Sequence, residues 1–117
     1  MSVRILVVED DETLRRTTAE LLTGVGYVVE QASDYRNALS VLEDGRDVVL
    51  LLTDLVLPGV NGFALGRMAR MRHRRIKIVY MTAYDTPAMH EASGPLLRKP
   101  VGSQELLTTI GAALSAG

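Results

Sequence analysis

The chain has 117 residues, 47% hydrophobic and 23% charged, and its 13 basic and 14 acidic side chains leave a formal charge of -1 at pH 7. That length predicts a single domain over residues 1–117 with a self-sufficient core, and the near-balanced charge argues against bulk attraction to nucleic acid or anionic membrane. With no cysteine there is no disulfide frame, thiol catalysis or thiolate metal site; with no signal-peptide pattern and no apolar stretch long enough to span a bilayer, the expected location is the cytoplasm.

Apolar, β-branched runs alternate with segments of helical period, the sequence form of a βα unit repeated five times around a parallel sheet. Val3 to Val8 predicts the first strand. Asp11, Glu12 and Thr13 suit the start of a helix whose face carries Leu14, Thr18, Leu21, Leu22 and Val25, and Gly24 and Gly26 end it. Tyr27 to Glu30 is the second strand. Asp34 can cap a helix bearing Ala38, Leu39 and Leu42, which stops at Gly45. Asp47 to Thr53 is the most uniformly apolar run, as expected of a central strand buried on both faces, and Asp54 closes it.

Pro58, Gly59, Asn61 and Gly62 predict a loop, after which Phe63, Leu65, Met68 and Ala69 line a third helix. Ile76 to Met81 is the fourth strand, closed by Thr82. Residues Asp85 to Ser93 leave room only for a short or irregular fourth helix. Leu96 to Arg98 is a short fifth strand closed by Lys99, and Leu106, Leu107, Ile110 and Leu114 face inward from a last helix. Met68, Met71, Met81 and Met89 read as core or near-core fillers.

If the strands are parallel, their carboxyl ends share one edge of the sheet, where open α/β proteins place ligands. Glu9, Asp10, Asp54, Thr82 and Lys99 then converge there. Carboxylates at Glu9, Asp10 and Asp54 would repel one another without a cation between them, and this incomplete oxygen cage suits Mg²⁺, whereas zinc would want histidine or cysteine. Asp54, alone at the end of the most buried strand, is the candidate nucleophile toward phosphorus. Lys99 can neutralise phosphoryl oxygens, and the Thr82 hydroxyl can donate a hydrogen bond to one. Each residue alone has a bland reading, as a cap or a solvated charge. Their joint placement is what points to phosphoryl chemistry.

The motifs L-V-V-E-D-D at 6–11, L-T-D-L-V-L-P-G-V-N-G at 52–62, M-T-A at 81–83 and R-K-P at 98–100 resemble the receiver domain of two-component response regulators, and the resemblance runs over essentially the whole chain. It implies a doubly wound, flavodoxin-like fold with a five-stranded parallel sheet, and a phosphoacceptor role with Mg²⁺ bound. Carried over residue by residue, Asp54 is similar to the phosphoacceptor, and Asp10, Asp54 and the Val56 backbone carbonyl are similar to the metal ligands. Glu9 would act largely through a bound water. Thr82 resembles the switch hydroxyl, Ala83 the small residue beside the phosphoryl group, and Lys99 its cationic partner. Pro100 matches a proline preceded by a cis bond.

The implied partners are a sensor histidine kinase or phosphotransfer protein and a downstream protein. The chain could be a stand-alone regulator, a phosphate shuttle or sink, or a receiver from a hybrid kinase.

Two departures from the family pattern stand out. Leu96 occupies the position, three before the lysine, where the family usually carries an aromatic ring that moves with the threonine, and the segment from Thr82 to Lys99 is several residues short. Tyr84 is expected to shield the phosphoryl group from water. The basic run Arg67, Arg70, Arg72, Arg74, Arg75 and Lys77, with His73, is favoured at a helix end by the helix dipole and lacks interleaved aromatic residues for base stacking, so nucleic-acid binding is not expected; a kinase or partner contact is as plausible a reading. The alternative function is a phosphohydrolase of haloacid dehalogenase type. That chemistry wants a second aspartate where Val56 stands, and a flavin-binding reading wants a hydroxyl-rich phosphate loop after the first strand.

Overall fold

A computed structural model describes residues 2–84 and 93–116. The described elements run β1 (Arg4–Val8), α1 (Glu12–Gly24), β2 (Val28–Ala32), α2 (Tyr35–Glu43), β3 (Val48–Asp54), α3 (Gly62–Arg72), β4 (Lys77–Thr82), β5 (Leu96–Arg98) and α4 (Ser103–Ser115). All strand pairs are parallel, in the order β2-β1-β3-β4-β5. The five-stranded parallel sheet is thus as expected, and the proposed fourth helix falls, apart from Ser93, outside the described residues.

Alternation along the strands divides the core into two layers. Leu6, Val8, Leu51 and Tyr80 pack with Phe63 and Leu65 of α3 and Leu42 of α2, while Ile5, Val7, Leu50, Leu52 and Val79 pack with Leu22 of α1 and Leu106 and Ile110 of α4. Helices therefore cover both faces, which makes the sheet doubly wound. Leu50, Leu51 and Leu52 are all fully buried, so β3 is a two-faced central strand.

Side chains cap three helices. Asp11 accepts from the Leu14 N–H at 3.0 Å, Asp34 from Asn37 at 2.8 Å and Asn61 from Ala64 at 2.8 Å. The first two were legible as caps; Asn61 reads from sequence only as a loop residue. Gly26 and Gly45, at φ 105° and 85°, end the turns after α1 and α2 in the left-handed region that glycine adopts without penalty.

The structure corrects several details. β2 continues to Ala32, and β4 starts and ends one residue later than the apolar run suggests, so Thr82 belongs to the strand. Leu14, in the first turn of α1, and Val25, just after its last, were read as core-facing and are exposed. Met71, in the last turn of α3, is 82% exposed rather than a core filler. Met81 is buried, Met68 is half-buried, and Met89 lies outside the described residues.

Candidate phosphoryl site

Backbone hydrogen bonds carry the ladder past the strand ends and fix the residues there. The Glu9 N–H donates to Ala32 O at 3.1 Å, the Leu55 N–H to Met81 O at 2.7 Å, and the Lys99 N–H to Thr82 O at 2.7 Å. Glu9, Asp54 and Lys99 are thereby held at the ends of β1, β3 and β5, along one edge of the sheet, before their side chains make any contact. The loop after Asp54 folds back tightly, with the Gly62 N–H donating to Leu55 O at 2.7 Å. A Cβ at position 62 would stand 2.5 Å from the Asp54 carbonyl oxygen, so glycine is required for this approach. Loop composition alone does not reveal it.

Glu9, Asp10 and Asp54 each offer a carboxylate oxygen, and these oxygens lie within 4.8 Å of one another. Glu9 and Asp54 are buried, at 2% and 7% exposure, whereas Asp10 is exposed. Between the two buried acids stands the Lys99 ammonium, donating to Glu9 Oε1 at 2.6 Å and to Asp54 Oδ2 at 2.9 Å. The cation that the clustered acids call for is in part the protein's own.

Burial pushes the Glu9 carboxyl above the ordinary glutamate range. Hydrogen bonds from Lys99 and the Asp11 N–H pull it down, the Asp54 charge pushes it up again, and the balance stays raised. Lys99 shows the reverse contest, because burial works against its charge but hydrogen bonds to Glu9 and Asp54, with their negative charges, hold its pKa above the usual lysine value.

The donor set consists of hard oxygens with two buried members and one open to solvent, which fits a divalent cation such as Mg²⁺ that keeps several waters. Val56, two residues beyond Asp54, makes an isolated antiparallel bridge with Asn61, which ties down the loop containing its carbonyl. Thr82 is 2% exposed, and its Oγ1 accepts from the Tyr84 N–H at 3.1 Å. Ala83 is exposed beside it. Tyr84 is itself 64% exposed. A recess of about 360 Å³ opens next to Lys99, between Leu14 and Thr18 of α1, Met81, Ala83 and Pro100. The Lys99–Pro100 bond is cis.

Other residues fall elsewhere. Leu96 is half-buried against the core, paired in register with Tyr80. The basic run lies at the opposite edge of the sheet, at the end of α3 and the start of β4. There Arg72 pairs with Glu43 at 2.8 Å, Arg70 Nε donates to Ile76 O, and His73 Nε2 donates to Leu42 O at 2.7 Å. Sequence reading passed over Arg15, whose guanidinium donates to Glu9 O at 3.0 Å, and Tyr80; neither belongs to a motif, and only the packing reveals them.

A family model for the response regulator receiver domain matches residues 5–111. The uncharacterized transcriptional regulatory protein YrkP of Bacillus subtilis is 33% identical over 97% of this chain and half of its own length. The sensor kinase CckA of Brucella abortus is 30% identical over 93% of this chain and 12% of its own. A CheY-like response regulator receiver domain protein from Methanospirillum hungatei superimposes with a TM-score of 0.90 at 28% identity, covering 97% of this chain and 94% of that one. The chain therefore spans half or less of these two curated relatives.

Proposed function

The chain belongs to the response regulator receiver domain family of two-component systems, and on that premise we propose that it is a phosphorylation switch whose acceptor is Asp54. The observation that carries the reading is the arrangement at the carboxyl edge, where three carboxylate oxygens lie within 4.8 Å and a lysine ammonium stands 2.9 Å from the acid that ends the central strand. The phosphohydrolase alternative has no support, since Val56 occupies the place of its second aspartate.

In this proposal an Asp54 oxygen bonds to phosphorus as the donor's bond to phosphorus breaks, the phosphohistidine of a sensor kinase or phosphotransfer protein being the natural donor. Glu9, Asp10, Asp54 and the Val56 carbonyl would hold Mg²⁺, which supplies charge neutralisation for the phosphoryl oxygens. Lys99, already bonded to Asp54, moves its donation to a phosphoryl oxygen. The Thr82 hydroxyl turns to another oxygen and gives up the Tyr84 N–H, so the backbone after β4 is released and the change is passed to a downstream partner. Leu96 removes an aromatic relay from β5, so that signal travels through the backbone. Working beside a kinase, the protein would act in the cytoplasm.

The test is incubation with acetyl phosphate and Mg²⁺. One phosphoryl group per chain is expected, lost in Asp54→Asn. Labelling that survives Asp54→Asn, or repeated turnover of a generic phosphomonoester, would rule the reading out.

A further inference from the structure

β5 has three residues, lies at the edge of the sheet and pairs with β4 alone, yet Lys99 follows directly from it. A strand so short contributes few rungs, and something else must hold it in place. Besides the core packing of Leu96 and Leu97, the side chain of Tyr80 contacts the segment that leads into it. Tyr80 is fully buried in β4, its ring edge-on to Phe63 with centroids 5.1 Å apart. Its hydroxyl shares a hydrogen bond with Ser93 Oγ at 3.0 Å and accepts from the Ser93 N–H at 3.4 Å, while its backbone N–H donates to Pro95 O at 2.9 Å.

Neighbouring residues are fitted to this fastening. Arg70 Nη2 donates to Ser93 O at 3.3 Å, and Gly94 lies so close on β4 that a Cβ would overlap the Ile78 carbonyl oxygen. On the helix side, a Cβ at Gly66 would come within 2.8 Å of the Tyr80 hydroxyl oxygen. A glycine inside a helix is costly, and the room needed by this hydroxyl explains it. Buried tyrosines commonly find some partner for the hydroxyl. Here the partner is the short segment that leads into β5.

We infer that Tyr80 is a positioning residue for Lys99: by fastening Ser93 to Pro95 it fixes the start of β5, so that the ammonium beyond its far end is delivered between Glu9 and Asp54. The consequence for phosphorylation rests on the function proposed above; the consequence for β5 does not. Tyr80→Phe removes only the hydroxyl, and Ser93→Ala removes the other partner at an exposed position where folding is not at risk. In both, exchange of the Lys99 amide hydrogen is expected to quicken about 10-fold, the scale of one lost hydrogen bond.

Phosphorylation of Asp54 by acetyl phosphate at saturating Mg²⁺ is expected to slow by roughly 3- to 10-fold in the same variants, through loss of one oriented cationic donor. Val48→Ala, in the core far from this edge, should lower global stability without slowing phosphorylation, which separates positioning from stability. Wild-type exchange at Lys99 in both variants would overturn the inference, as would faster exchange with an unchanged phosphorylation rate. If the wild type accepts no phosphate at Asp54, the proposed function fails, and the exchange measurement still decides whether Tyr80 holds Lys99.

Discussion

Glu9 sits at 2% exposure with a carboxyl raised above its ordinary range, chiefly by burial. The unfolded chain gives up that proton at lower pH than the folded one, so between the two pKa values the folded state binds more protons. Its stabilising effect is complete below the ordinary glutamate value and fades as pH rises through the folded one. Without divalent cations, the urea midpoint should accordingly show a component that falls with rising pH across that window and is absent in Glu9→Gln. Lys99 does not confuse the reading, because its raised pKa puts its own loss of stability above the usual lysine range. At this scale the sequence showed which residues end strands. It did not show that Lys99 bridges Glu9 and Asp54, because that contact depends on how three separate strand ends meet.

α3 and β4 are fitted to each other at one point, where Gly66 makes room for the Tyr80 hydroxyl. Gly66→Ala should cost about 1–3 kcal/mol through overpacking, even though alanine is the better helix former. In a Tyr80→Phe background the cost should shrink, with a coupling of about 1 kcal/mol between the two sites by chemical denaturation. Additive effects would show that the contact does not restrict position 66. The period of apolar residues located all five strands and the described helices to within two residues or so at each end, since burial on one face or both leaves a direct mark on the chain. Exposure at a helix end leaves none: Leu14, Val25 and Met71 look like core residues in the sequence, yet all three are exposed. Close backbone approach is equally silent: Gly62 reads only as a loop residue and Gly94 carries no signal, yet a Cβ at Gly62 would meet the Asp54 carbonyl oxygen and one at Gly94 that of Ile78.

Across the molecule, the acid cluster Glu9, Asp10 and Asp54 lies beyond the carboxyl ends of the strands, and the arginine-rich turn between α3 and β4 lies at the amino ends. Among the described residues, no helix is long and apolar enough to cross a membrane. A cation that binds only the folded acids must stabilise the fold. Mg²⁺ at ten times its dissociation constant should add about 1.4 kcal/mol and raise the melting temperature by roughly 5 °C. Chelator should reverse the gain, and Asp54→Asn should reduce it; an unchanged melting temperature would argue against a metal site there. The parallel strand order also governs how the chain can fold. No two neighbouring strands form a hairpin, and the central rungs join residues as distant as Ile5 and Leu50. Every rung must therefore wait for a long loop to close, which makes assembly slow relative to a helical bundle of this size. β1 emerges from the ribosome before the other four strands and has no partner among them until they follow, so Glu9 and Asp10 beyond its end meet Asp54 only as the centre of the sheet closes.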